Sequence, residues 1–196
     1  MNKKFVNHFQ YSWWVYIVIA FAFIFLWSSV FEALAKPESN ERLNVSFIGT
    51  GFDHKKLETD LCNSVFKDTK IEEVFVESVV ADEGLNNILY VRSQGEYDVI
   101  IIQETVVFSG MCKSYFEPLD KALMTQYFGD ITFYEEDGQA YGILLDGPGF
   151  ADYYSGEESC YLFVAPVSQN FAGIYGGNED DDAVIRLIQY LLGGDR

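Results

Sequence analysis

Nineteen consecutive residues, Trp13 to Phe31 (WWVYIVIAFAFIFLWSSVF), carry no charged side chain and only two serines. At about 1.5 Å of rise per residue, a helix of this length just spans a hydrocarbon core of roughly 30 Å. Whatever the rest of the chain folds into, this segment has to sit in lipid or be removed. Trp13, Trp14 and Trp27 lie toward its ends, where aromatic belts form. Lys3 and Lys4 precede it, whereas Glu32, Glu38 and Glu41 outnumber Lys36 and Arg42 just after it. That lysine asymmetry predicts a cytoplasmic N-terminus, a single pass through the cell membrane, and an extracytoplasmic remainder. The alternative is a cleaved signal: EALAK places Ala33 and Ala35 at the −3 and −1 positions of a peptidase site. The run is long and aromatic for a signal core, which favours the uncleaved anchor.

Residues 1–36 therefore read as cytoplasmic stub, anchor and linker, and 37–196 as one α/β domain. With 49% apolar residues the chain can build a core. The net charge of −17 excludes the basic footprint that nucleic-acid binding needs. It equally disfavours adhesion to anionic lipid by charge alone. Cys62, Cys112 and Cys160 lie far apart with no CxxC pair. They read as three small buried side chains, with one disulfide and a free thiol as the alternative.

Along the domain, RLNVSFIGTG (42–51) is a β-rich run ending in glycines. Asp53 is a good N-cap, and Leu57, Leu61, Val65 and Phe66 follow at helical spacing. IEEVFVESVV (71–80) predicts a second strand, and Leu85, Ile88, Leu89 and Arg92 a short helix. The stretch EYDVIIIQETVVFSG (96–110) then holds a fully apolar strand that emerges onto Gln103 and Glu104. An unbroken apolar run is expected where both faces of a parallel sheet are covered. The order β-α-β-α-β predicts a three-layer sandwich around a mostly parallel sheet. Phe116, Leu119, Leu123 and Met124 suggest a third helix with Pro118 in its first turn. Asp137-Gly138 between two β-rich pieces is a hairpin signal, CYLFVAPVS (160–168) another strand, and Val184 to Leu192 a closing helix.

No motif here demands a cofactor or a metal. GTGFDH (49–54) resembles a dinucleotide loop, but His54 replaces the third glycine, so the glycines read as a tight turn. His54 is the only histidine beyond residue 36, which excludes a multi-histidine zinc site. Paired with Cys62 or Cys160 it could serve a nucleophile; the plainer reading is a solvated helix start. NEDDDA (178–183) could bind calcium, but acids at a helix start are stabilised by the dipole alone. The aromatic loop around Phe150, Tyr153, Tyr154 and Tyr161 either stacks on a ligand or packs on the sheet.

YDVIII after two βα units, then YFEPLDKAL, DGQAYGILL and the closing DDAVIRLIQYLL, resemble the extracellular solute-binding proteins of ABC importers, of the type-2 periplasmic-binding fold. The resemblance implies one lobe of that fold, because only about fifteen residues (146–160) separate YGILL from YLFV. The function expected is a membrane-anchored binding or adaptor domain. Its partners would be a small solute, a transporter permease or another membrane protein. Binding positions are expected at the carboxyl ends of the strands: Thr50, Gly51, Asp53, Gln103, Glu104, Thr105, Tyr153 and Tyr154. The rival expectations are a hydrolase pairing Glu104 with Asp146 or Asp152, and a purely structural partner-binding domain.

Overall fold

A computed structural model describes residues 3–35, 39–81, 84–108, 110–166, 168, 170–171 and 182–193. The chain divides into two compact units, Met1–Pro37 and Glu38–Arg196. In the first, one helix, α1 (Lys3–Ala35), carries the apolar run. By length and composition its Trp13–Phe31 segment can cross a membrane. The hydroxyl of Ser29 donates to the Phe25 carbonyl at 2.9 Å, so its polar group is met within the helix.

The second unit is a mixed α/β domain around one six-stranded sheet. The chain runs β1 (Arg42–Ile48), α2 (His54–Asp60), β2 (Glu73–Val79), α3 (Leu85–Val91), β3 (Val99–Gln103), α4 (Met111–Tyr115) and α5 (Lys121–Phe128). It continues through β4 (Phe133–Glu136), β5 (Gln139–Leu144), α6 (Pro148–Ala151), β6 (Cys160–Val164) and α7 (Ala183–Leu192). The spatial order is β2-β1-β3-β6-β5-β4. From β1 the chain steps outward to β2, then back past β1 to β3. Right-handed crossovers in opposite directions place α2 and α3 on opposite faces of the sheet. Two cores result. Leu57, Met124, Leu187 and Leu191 pack on one face against Val45, Phe47, Val99 and Ile101. Leu89, Met111 and Phe116 pack on the other against Ile48, Ile100, Ile102 and Phe163. The apolar run of β3 is thereby buried throughout, as its composition predicts.

Two expectations are corrected. The sheet is mixed rather than mostly parallel: β1 pairs in parallel with β2 and β3, but β3–β6, β6–β5 and β5–β4 are antiparallel. The two-residue turn between β4 and β5 can only join antiparallel strands, whereas β3 and β6 lie far apart in the chain and meet antiparallel through the order of strands in the sheet. The β4–β5 hairpin turns on Asp137 and Gly138, both at positive φ (51° and 81°), the geometry a two-residue primed turn requires. The expected third helix is two helices with an extended segment between them. Glu117 precedes Pro118, which disfavours helix there, and its N–H donates to the Val164 carbonyl at 3.0 Å. Leu119 N–H likewise donates to Ala140 at 2.8 Å, and Asp120 then caps α5 through Ala122 and Leu123.

At the amino end of β3 a buried carboxylate joins three chain segments. Asp98, only 6% exposed, accepts the Asn44 N–H at 3.0 Å on one oxygen. Its other oxygen accepts the Ser168 hydroxyl at 2.7 Å and the Asn170 amide at 3.0 Å. Burial raises the Asp98 carboxyl above its ordinary value, opposed by these three donors and aided by Asp182 nearby. The native chain therefore binds this proton more readily than the unfolded chain does. The contribution of Asp98 to stability grows as pH falls through its raised native value toward about 3.9. Denaturant unfolding of the full chain in detergent, at a series of pH values, checks this against Asp98→Asn. The difference in unfolding free energy should shift toward wild type on acidification; a pH-independent difference would contradict it.

Candidate functional site

The carboxyl ends of β1 and β3 lie side by side where the two crossovers diverge. Open α/β sheets carry their ligands at that switch point. In this chain a side chain of its own fills the place. Gln103, the last residue of β3, is 7% exposed. Its Oε1 accepts the Thr50 N–H at 3.1 Å, and its Nε2 donates to the Thr50 carbonyl at 3.2 Å and to the Tyr154 hydroxyl at 2.7 Å. Both amide hydrogens are thus used. Gly49 makes this fit possible: φ is +151°, and a Cβ there would fall on the Gln103 carboxamide.

The aromatic loop after α6 closes over the same place by main-chain bonds. Ser155 N–H donates to Gly51 and Asp53 N–H to Tyr153, each at 2.9 Å, around a bridge between Phe52 and Tyr154. Beneath it, Phe52 stacks on Phe47 with centroids 4.4 Å apart, and Tyr154 on Phe150 at 5.3 Å. Tyr153 points inward; its hydroxyl donates to Asp60 at 2.8 Å and shares a 2.5 Å hydrogen bond with Tyr190 of α7. Burial, then the bonds to Tyr190 and Asp60, push its phenol up. Lys56 lies 5.2 Å from that ring and donates to the Asp152 carbonyl at 3.0 Å.

Of the positions expected at the site, Thr50, Gly51, Asp53, Gln103, Tyr153 and Tyr154 therefore come together, but mostly as partners of one another. Asp53 accepts the Lys56 N–H at 3.1 Å and is the N-cap of α2. Tyr153 and Gln103 are buried and hydrogen-bonded to the chain itself. Glu104 and Thr105 sit farther along the same edge, both exposed. Glu104 N–H donates to Ser159 at 2.8 Å, and the Thr105 hydroxyl to Glu158 at 2.6 Å. The hydrolase expectation gains nothing: Glu104, Asp146 and Asp152 are all exposed, where paired-carboxylate chemistry needs one of them enclosed. Sequence reasoning missed the Asp60–Tyr153–Tyr190 group and the Asp98 group. Both join residues far apart in the chain with no spacing to betray them.

The remaining candidates resolve plainly. His54 is half-buried at the start of α2. Among the described residues no three His, Cys, Asp or Glu side chains group as metal ligands. Of NEDDDA, Asp182 caps α7 through Val184 and Ile185, each at 3.0 Å, while residues 178–181 lie outside the described ones. All three cysteines are free thiols, and Cys62 is exposed rather than buried, because it sits on the outer side of the turn that ends α2. Cys112 and Cys160 lie in cores on opposite faces of the sheet and cannot pair. Burial pushes Cys112 up to about 12 and Cys160 up to about 11. Set against family models, curated proteins and solved structures, the chain finds no match.

Gln103→Ala strips the partner from the Thr50 N–H and should cost about 1–3 kcal/mol in chemical unfolding. Gly49→Ala should cost at least as much, by expelling the carboxamide. Unchanged midpoints in both variants would mean that the plug carries no stability. Maleimide should label Cys62 in the native chain and Cys112 and Cys160 only after denaturation.

Proposed function

We propose that this is a single-pass membrane protein whose α/β domain binds a protein partner outside the cytoplasm, as an adaptor or an accessory to an ABC-type uptake system or envelope complex. The observation that carries this reading is the closed switch point. Gln103 and the aromatic loop satisfy the polar groups there, which supports a surface contact over a small solute at this place. Small-solute binding of the kind found between two closing lobes would first require Gln103 to leave.

The uncharged Trp13–Phe31 segment supports the anchored part of the reading, and Lys3 and Lys4 support the cytoplasmic N-terminus. Anchoring holds a binding domain at high effective concentration near a membrane partner, so even a weak contact suffices. Kinship with one lobe of a solute-binding protein belongs to the same proposal and rests on the motifs quoted above.

Native electrophoresis of gently solubilised membranes tests the adaptor reading. The chain should migrate in an assembly well above its own mass of 22.3 kDa. Migration alone would overturn it. A thermal-shift screen with sugars and oligopeptide solutes should stay flat on the wild-type chain, since the crevice is already occupied.

A further inference from the structure

Every sheet that does not close has two edges, and here they are β2 and β4. β4 is short, with its Glu135 paired to Lys121 at 2.8 Å. β2 is seven residues long, and every one is in register with β1. Val79 turns its polar groups toward β1, since its carbonyl accepts the Gly49 N–H at 2.9 Å. Alternation then turns the N–H groups of Val74, Val76 and Ser78 outward. One of the three is met by a substitute: Glu58 of α2 accepts the Val76 N–H at 3.0 Å. A long, regular edge with outward donors is a template for another strand.

The apolar surface gathers at the same flank. Outside α1, the large apolar side chains exposed among the described residues are Phe75, Val80, Tyr90, Val91 and Phe108. Four of these five fall within residues 75–91, on β2, just past it, or on α3. Phe75, 43% exposed, stands beside Tyr97 with ring centroids 6.5 Å apart. The acids along this edge divide into paired and unpaired ones. Glu77 is already taken by Arg92 and Ser46, and Glu73 by Arg42 at 2.7 Å. Glu58 and Glu72 have no ion pair among the described residues.

We infer that β2 is a docking edge for an extended segment of a partner protein, one that alternates basic and apolar residues and adds to the sheet as a seventh strand. This rests on the adaptor reading and names the surface and the partner's chemistry. The incoming main chain takes the outward donors of β2, displacing Glu58 from the Val76 N–H. The freed Glu58 carboxylate then pairs with a lysine or arginine of the partner, and an apolar partner residue covers Phe75. Glu58 thus shields the edge when it is empty and selects basic strands when it is filled. A second copy of this chain is the poorer occupant, because edge-to-edge pairing would bring Glu58 against Glu58 and oppose further acids.

The test is fluorescence anisotropy of a short labelled peptide alternating lysine and valine, with the full chain in neutral detergent. A lysine–proline peptide of equal charge cannot form a strand and controls for plain attraction to an acidic protein. The lysine–valine peptide should bind at least about tenfold tighter than that control, and Phe75→Ser should lose at least about tenfold of the affinity at an unchanged melting temperature. Glu58→Ala should bind lysine–valine and serine–valine peptides alike, where wild type prefers lysine. Equal binding of the lysine–valine and lysine–proline peptides, or wild-type affinity in Phe75→Ser, overturns the inference. So does a Phe75→Ser chain that splits from a homodimer to a monomer, which would name a second copy as the occupant. A chain that migrates in a membrane assembly yet ignores the peptide overturns the docking edge and leaves the adaptor reading standing.

Discussion

One carboxamide decides what the carboxyl edge of this sheet can do. β3 is buried on both faces and paired on both sides, so whatever ends it must satisfy polar groups in a place water barely reaches. Gln103 does so by exchanging two hydrogen bonds with Thr50 and a third with Tyr154. Because Thr50 follows β1 and Tyr154 belongs to the loop after α6, the side chain joins three segments at once. The aromatic ladder of Phe47, Phe52, Phe150 and Tyr154 can stack beneath only when those segments are held together. The cost is a functional one: the position at which an open α/β sheet would receive a ligand is already occupied.

The opposite end of β3 follows the same logic with a charge in place of an amide. Asp98 draws donors from β1 and from the segment after β6, and its backbone bonds to Asn44 and Ala165 align with them. A buried carboxylate with three donors tolerates ionisation at a cost, and removing any one donor would leave a charge without its compensation. Both ends of the central strand are thus pinned by polar side chains, and the apolar run between them supplies the burial. This division leaves β2 and β4 as the two outer strands of the sheet.

Much of the fold was legible. The apolar run of α1, the period of α2 and α7, the unbroken Val99–Ile102 strand and the Asp137-Gly138 hairpin all carry local signals. Asp53 announced itself as a cap, though it also looked like a binding residue, and the acids of NEDDDA announced a helix start without saying which of them caps it. What failed to show was orientation and interruption. Nothing local in CYLFV says that it pairs antiparallel with β3, and the helical spacing of Phe116 to Met124 hides the break that Pro118 imposes. Several candidate site residues lie at one edge of the sheet, and what no spacing showed is that Gln103, Thr50 and Tyr154 bond to one another there.

The sequence by itself determined which segments are apolar, with what period, and where turns and caps must fall, since those follow from each residue and its near neighbours. It also determined that the chain carries a membrane-length helix and a strongly acidic remainder. Only the tertiary structure decided that Gln103 meets Thr50 and Tyr154, that Tyr153 meets Asp60 and Tyr190, and that β2 is left at the edge. The hydrogen bonds among these join residues 37 to 93 positions apart. Hydrogen bonds of that range depend on how strands are ordered across the sheet, and strand order is set by the burial of both faces at once, which no local pattern encodes.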